Sequence, residues 1–120
     1  MTEVELLEGL RKGRKHFYRI CVEQGNFASL DLSGVSFEEC LLAVEFTGAI
    51  LNNAQFINSN LKTCLFSKCS LVNAVFIGNS LDGADFSGAQ IQGITFKNNT
   101  YHSSEVTETN LQEMIHSGEC

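Results

Sequence analysis

The feature that most constrains this chain is a large apolar residue that returns at every fifth position. From Phe46 to Tyr101 the rhythm is unbroken, and from Phe17 to Leu42 it runs in a second phase. A period of five fits neither a helix nor a continuous strand, whose side chains repeat every 3.6 and every 2 residues. It fits a short extended segment followed by a tight turn, repeated along the chain. The predicted core positions, which we name repeat centres, are Phe17, Val22, Phe27, Leu32, Phe37, Leu42, Phe46, Leu51, Phe56, Leu61, Phe66, Leu71, Phe76, Leu81, Phe86, Ile91, Phe96 and Tyr101.

The residues between the centres specify the corners. Two positions before each centre lies a smaller residue, which strand alternation directs to the same side as the centre. Two positions after the centre, Gly or Asn recurs, and these residue types tolerate the positive φ of a type II turn. The chain has no proline, as expected where nearly every backbone N–H joins a hydrogen-bond ladder. The predicted corner residues are Gly34, Gly48, Asn53, Asn58, Asn73, Gly78, Gly83, Gly88, Gly93 and Asn98.

Phenylalanine alternates with aliphatic residues at the centres, and this ten-residue super-period predicts an even number of sides in each coil. With four sides, two opposed phenylalanine walls are separated by two aliphatic walls. A single four-residue step between Leu42 and Phe46 joins the two phases. We expect it to trim a corner without removing a side; a functional notch is the alternative. The two predicted stacks are Phe17, Phe37, Phe56, Phe76 and Phe96 on one wall, and Phe27, Phe46, Phe66 and Phe86 on the other.

Three segments display the repeat most clearly: GADFSGAQI (83–91), AILNNAQFINSNL (49–61) and NAVFIGNSLDGADF (73–86). They resemble the pentapeptide-repeat family, whose repeat reads roughly A-(D/N)-(L/F)-x-x. The resemblance covers about residues 17–106. It implies an all-β fold, a right-handed quadrilateral parallel β-helix (a solenoid). The number of repeats predicts about 4.5–5 coils. The departures from the family pattern at the small inward position are Lys15, Gly25 and Ile94.

Short capping helices are predicted at both ends, because a solenoid otherwise leaves strand edges open to other chains. Thr2 and Glu5 form a predicted capping box for a helix over about residues 3–12, which Gly13 ends. Its predicted apolar stripe consists of Val4, Leu6, Leu7 and Leu10.

At the other end, Thr109 and Gln112 form a second predicted capping box, for a helix from about residue 110. We expect a final repeat centre at Val106, and Leu111 belongs either to that helix or to the last coil. The chain is thus predicted to be a single domain, 1–120. Its parts are an N-terminal capping helix (1–14), a β-helix (15–108) and a C-terminal helical cap or tail (109–120).

Charge and hydropathy exclude several classes of protein. The net charge of −6 argues against direct nucleic-acid binding and against docking on an anionic membrane. No stretch reaches 18 apolar residues, which argues against a transmembrane helix. The opening residues are acidic and form no apolar signal segment, so the expected location is the cytoplasm.

No pattern in the chain predicts catalysis, a cofactor, a metal or a small-molecule substrate. Cys40, Cys64 and Cys69 fall at the small inward position, and their spacing favours small buried side chains over a zinc site. The histidines, His16, His102 and His116, lie in no known catalytic motif, and Cys21 points outward. The inward amides Asn79 and Asn99, with Ser59 before them, predict a hydrogen-bonded stack.

One outward cluster is apolar where polar residues are expected, and such clusters often mark interfaces. It predicts a non-enzymatic scaffold that binds a protein partner or itself, as a homodimer. The resemblance implies an alternative, an acidic DNA mimic that regulates or protects DNA gyrase. Outward acids exceed outward bases by only five along the rod, whereas duplex DNA of about 20–25 Å carries on the order of a dozen charges. The candidate interface residues are Ile50, Ile57, Val72, Val75 and Ile77.

Overall fold

The computed structural model describes residues 1–102 and 104–116. Its strands are only two or three residues long, because a corner follows nearly every repeat centre. The elements, in chain order, are α1 (Glu3–Arg11), β1 (His16–Tyr18), β2 (Cys21–Val22), β3 (Ser36–Glu38), β4 (Leu41–Leu42), β5 (Gln55–Ile57), β6 (Val75–Ile77), β7 (Thr95–Lys97), β8 (Asn99–Tyr101), β9 (Ser104–Val106) and α2 (Glu108–His116).

Five of these strands stack in parallel, in the order β1-β3-β5-β6-β7, and form one complete wall. β2 pairs with β4 in parallel, and single parallel bridges such as Leu65 with Asp85 and Ser70 with Gln90 complete the other walls. The chain is therefore a parallel β-solenoid of about four turns with a short helix at each end. The predicted stack is confirmed, since Phe17, Phe37, Phe56, Phe76 and Phe96 occupy one register on this wall.

The interior is filled by the repeat centres. Sixteen of the eighteen are buried, and Ile91 and Tyr101, near the C-terminal end, are half-buried. Successive rings on the first phenylalanine wall are 4.7–6.0 Å apart. Rings of the two opposed walls also meet edge to face, as Phe66 does with Phe56 and Phe76 at 5.5 Å. Each buried ring contributes about 1.5–3 kcal/mol of transfer free energy, so the rod is held together from inside.

All ten predicted Gly and Asn corners have positive φ, between 49° and 77°. The same conformation also occurs two positions after a centre at five residues that are neither Gly nor Asn: Arg19, Ser29, Glu39, Thr63 and Lys68. The stacked ladder above and below each corner therefore imposes the turn even where the local residue disfavours it.

The four-residue step trims a corner and leaves all four sides in place. Val22 pairs with Leu42, twenty positions on, whereas Asn26 pairs with Glu45, nineteen positions on. Below the trimmed corner lies Gly25, one of the departures from the family pattern. A Cβ there would approach the Phe27 ring to 2.7 Å, so only glycine fits.

At the N-terminus, the predicted capping box is present. The Thr2 side-chain hydroxyl accepts from the backbone N–H of Glu5, and the Glu5 carboxylate accepts from the backbone N–H of Thr2. Leu6 is fully buried over the first coil. The prediction that Val4 belongs to the apolar stripe was wrong, because its side chain is 73% exposed.

At the C-terminus, the prediction that Val106 continues the coil was wrong. The chain turns back after Tyr101, and β8 and β9 pair antiparallel, with Asn99 opposite Val106. Val106 is buried, but in a hairpin. The α2 capping pair is Thr107 and Asn110, in place of the predicted Thr109 and Gln112, and the helix begins at Glu108. Leu111 belongs to α2, where it is fully buried.

Candidate functional site

The outward surface of β1, β3, β5, β6 and β7, named here the five-strand wall, is the most regular surface of the described chain. Each wall strand places one side chain outward on either side of its buried phenylalanine. Parallel pairing at a constant register then lines these side chains up in two columns. The column before the phenylalanines is His16, Ser36, Gln55, Val75 and Thr95; the column after them is Tyr18, Glu38, Ile57, Ile77 and Lys97.

The centre of this wall is apolar. Ile57 and Ile77 are register partners on adjacent strands, and Val75 lies on the same strand as Ile77. All three side chains are half-buried, leaning on their neighbours while keeping one face in solvent. Because they stand on a paired sheet, they form a flat patch with little backbone freedom.

The five predicted interface residues do not all meet. Val72 lies just around the corner from Val75 and is half-buried. Ile50 lies at the start of the preceding wall, in register between Asp31 and Ser70, and is 40% exposed. The structure therefore groups Ile57, Val75 and Ile77, with Val72 at their edge, and places Ile50 among polar neighbours.

The edge of the wall next to Ile57 and Ile77 is supported by the predicted amide stack. Nδ2 of Asn79 donates to the carbonyl oxygen of Phe56 at 2.8 Å, and Nδ2 of Asn99 donates to that of Phe76 at 2.9 Å. The Ser59 hydroxyl donates to the Ile57 carbonyl oxygen at 3.0 Å. These buried side chains hold the wall's own carbonyl groups, so the patch is attached to a rigid edge.

The inward cysteines are capped by backbone carbonyl groups. Sγ of Cys64 donates to the Leu42 oxygen at 2.9 Å, and Sγ of Cys69 donates to the Phe46 oxygen at 2.8 Å. Burial raises the pKa of Cys64 to about 12 and that of Cys69 to about 11. Both thiols stay protonated at neutral pH, which makes them poor metal ligands and poor nucleophiles. Residues 1–102 and 104–116 contain no cluster of three or more His, Cys, Asp or Glu that could hold a metal.

His16, His102 and His116 are all exposed and lie apart, on β1, in the turn after β8 and on α2. Cys21 is exposed, as predicted, and Cys120 lies outside the described residues. No helix of the described chain is both long enough and apolar enough to cross a bilayer.

Depressions occur at both ends of the rod. One of about 430 Å³ lies beside the C-terminal hairpin, lined among others by Asp85, Tyr101 and Met114. Another, of about 490 Å³, lies over the trimmed corner between Gly25 and Glu45. The Glu3 side chain lines it and accepts from the Asn26 backbone N–H, which ties the N-terminal helix to this corner.

Comparison with known proteins agrees with this architecture. The family model for pentapeptide repeats matches eight copies, over residues 26–67 and 59–98. The chain belongs to the pentapeptide-repeat family. A search of curated protein sequences returns no significant match.

A solved structure with a TM-score above 0.5 shows the same fold. A pentapeptide repeat protein, Rfr23 from the cyanobacterium Cyanothece 51142, superimposes with a TM-score of 0.60 at 21% identity, covering 72% of this chain and 63% of that one. This chain therefore spans somewhat less than two thirds of that protein. A pentapeptide repeat protein from Nostoc Pcc 7120 matches at 22% identity and a TM-score of 0.43, over 91% and 93% of the two chains. QnrB1, a plasmid-mediated fluoroquinolone resistance protein, matches at 16% identity and a TM-score of 0.48. The match covers 75% of this chain and 67% of that one.

Proposed function

We propose that this protein is a non-enzymatic, cytoplasmic scaffold that binds another protein surface through the five-strand wall. The observation that carries the proposal is the pairing of Ile57 with Ile77 on adjacent strands of an outward face, with Val75 beside them. Polar side chains at the outward positions of a solenoid are well solvated by water. Apolar side chains there contribute favourable free energy only when a partner removes them from water.

The rigidity of the wall supports the same proposal. The backbone under Ile57 and Ile77 is already fixed by ladder hydrogen bonds on both sides and by the amide stack at its edge. A partner that docks here therefore immobilises few additional degrees of freedom, and less of its contact energy is lost to ordering. The free thiols of Cys40, Cys64 and Cys69 suit a reducing compartment.

The filled interior supports a surface role over a catalytic one. A binding pocket for a small substrate is ordinarily a concave, largely enclosed cavity. Here the space inside the coils is occupied by stacked phenylalanine and aliphatic side chains, most of them with no exposed surface. The rod therefore offers other molecules its outer surface and not its interior.

The proposal is tested by co-purification from the source cells with the double variant Ile57→Asp/Ile77→Asp. The matched control is Thr47→Asp, which changes the same position of the repeat, one after a phenylalanine, on the opposite wall. We expect partner proteins to be lost with the double variant and retained with the control. Equal retention by both variants, each shown to be folded by circular dichroism, would contradict the proposal.

The DNA-mimic alternative is separated by a gyrase supercoiling assay. A mimic needs a continuous acidic surface, whereas the centre of the five-strand wall is apolar. We expect no effect of the protein on supercoiling at micromolar concentration. Inhibition that persists in Ile57→Asp/Ile77→Asp would replace the scaffold proposal by the DNA-mimic one.

A further inference from the structure

The second column of the five-strand wall has a symmetry of its own. Register pairing sets its inner four members in the order Glu38, Ile57, Ile77, Lys97. An acid and a base lie at equal distances on either side of two isoleucines. The column therefore becomes complementary to itself when its direction is reversed.

From this pattern we propose that the five-strand wall binds a second copy of this chain, face to face, with the two rods antiparallel. The inference rests on the proposed function, that the wall is a protein-binding surface, and it names the partner. The two-fold axis runs along the strand direction, midway between Ile57 and Ile77. It places Ile57 against Ile77 of the partner subunit, and Glu38 against Lys97 of the partner subunit, each contact occurring twice.

The two charged groups are free to make this contact. Neither Glu38 nor Lys97 forms an ion pair or a side-chain hydrogen bond within the described residues. The charged neighbours of Glu38 are already engaged, because Arg19 bonds Glu39 at 3.3 Å and stacks on the ring of Tyr18. Lys97 is exposed and Glu38 is half-buried, so pairing costs little desolvation.

The first column is compatible with the same arrangement. The two-fold places Ser36 opposite Thr95 of the partner subunit, and Gln55 opposite Val75 of the partner subunit, with no like charges in contact. A two-fold along the rod axis would instead set Glu38 against Ser36 and Lys97 against Thr95 of the partner subunit. That parallel arrangement leaves both charges unpaired, so the charges select the antiparallel one.

The choice of wall also follows from charge. Two copies of a chain with a net charge of −6 repel each other unless the contact face is balanced. On the five-strand wall Glu38 is balanced by Lys97. On the opposite wall the outward positions beside the phenylalanines carry Glu45 and Asp85 with no base to offset them.

The size of the wall predicts a weak, reversible dimer. Five stacked strands of three residues span about 19 Å by about 10 Å. Such a face offers less than the roughly 800 Å² per partner of a standard interface. The dimer should therefore be populated at protein concentrations on the order of 100 µM and dissociate on dilution.

Charge exchange tests the arrangement. In sedimentation equilibrium at low salt, we expect wild type to dimerise, and Glu38→Lys and Lys97→Glu each to weaken dimerisation by about tenfold or more, because like charges then face each other twice. The double variant Glu38→Lys/Lys97→Glu should dimerise like wild type. A mixture of the two single variants should form a heterodimer, since every contact between them is again opposite in sign.

Two results would overturn the inference. One is a wild-type protein that remains monomeric up to about 1 mM, a concentration at which even weak face-to-face contacts are populated. The other is dimerisation that is the same in both single variants, which would place the contact elsewhere. Either result leaves the co-purification test of the proposed function unaffected, because that test measures binding of other proteins. Circular dichroism establishes that each variant is folded.

Discussion

Oδ1 of Asn99 accepts two hydrogen bonds from Asn79, one from its backbone N–H and one from its side-chain amide, each 3.0 Å long. The pattern repeats one coil earlier, where Oδ1 of Asn79 accepts from the Ser59 backbone N–H at 2.9 Å. Both amides are buried, and among the described residues no buried side-chain nitrogen or oxygen lacks a partner. The stack is therefore a fully satisfied polar column inside an apolar rod.

Loss of one amide should destabilise the whole rod. Asn79→Ala leaves the Ser59 N–H and the Phe56 carbonyl oxygen without these partners, and we expect the free energy of unfolding to fall by about 2–4 kcal/mol. Asn79→Ser should cost less, because Ser59 fills the equivalent position one coil below. The control Gln92→Ala, at an exposed residue, should change stability by less than about 0.5 kcal/mol. Urea unfolding measures all three; a loss for Asn79→Ala no larger than that of the control would contradict the stack's role.

A substitution at a strained corner should stabilise the protein, in contrast to the loss of an amide. Thr63 is β-branched and has a φ of 62°, in the region that favours glycine. Thr63→Gly should raise the free energy of unfolding by about 1 kcal/mol, since it relieves that strain. Thr47→Gly is the matched control, at a corner position without positive φ, and should give no gain. Thermal unfolding of the two variants side by side checks this, and equal shifts would count against strain at Thr63.

The cysteines should resist modification in the folded protein. In a Cys21→Ser/Cys120→Ser background, the three inward thiols should react with a disulfide reagent at pH 8 only after unfolding. Burial raises the pKa of all three, to about 12 for Cys64 and about 11 for Cys69. The unfolded thiols ionise near pH 9, so stability should fall as the pH rises above that value. Rapid labelling of two or more thiols in the native protein would show that the interior is open.

The repeat made the interior predictable. A period of five, together with alternating Phe and aliphatic centres, was enough to place Phe56, Phe66 and Phe76 on opposed walls. The ends were less predictable, because the spacing of apolar residues continues there although the chain no longer follows the predicted packing. Val106 is in phase with Tyr101 but lies in an antiparallel hairpin, and Val4 is in phase with the helix stripe but is exposed.

Two further features could be recognised only from the strand register in the structure. The left-handed conformation at Thr63 and Lys68 has no signal in the residue type, because the neighbouring coils impose it. The alignment of Glu38 with Ile57 depends on a spacing of nineteen in the coil that carries the four-residue step, against twenty in the next coils. The sequence therefore located the apolar patch, and the register revealed its charged ends.

Site-specific photo-crosslinking in the source cells shows whether the five-strand wall is the contact surface. A photoreactive benzoylphenylalanine is placed at position 77, and at position 47 on the opposite wall as the matched site. We expect discrete covalent adducts from position 77, among them a band at twice the mass of the chain, and none from position 47. Adducts of equal yield from both positions, or adducts from position 47 alone, would contradict this expectation.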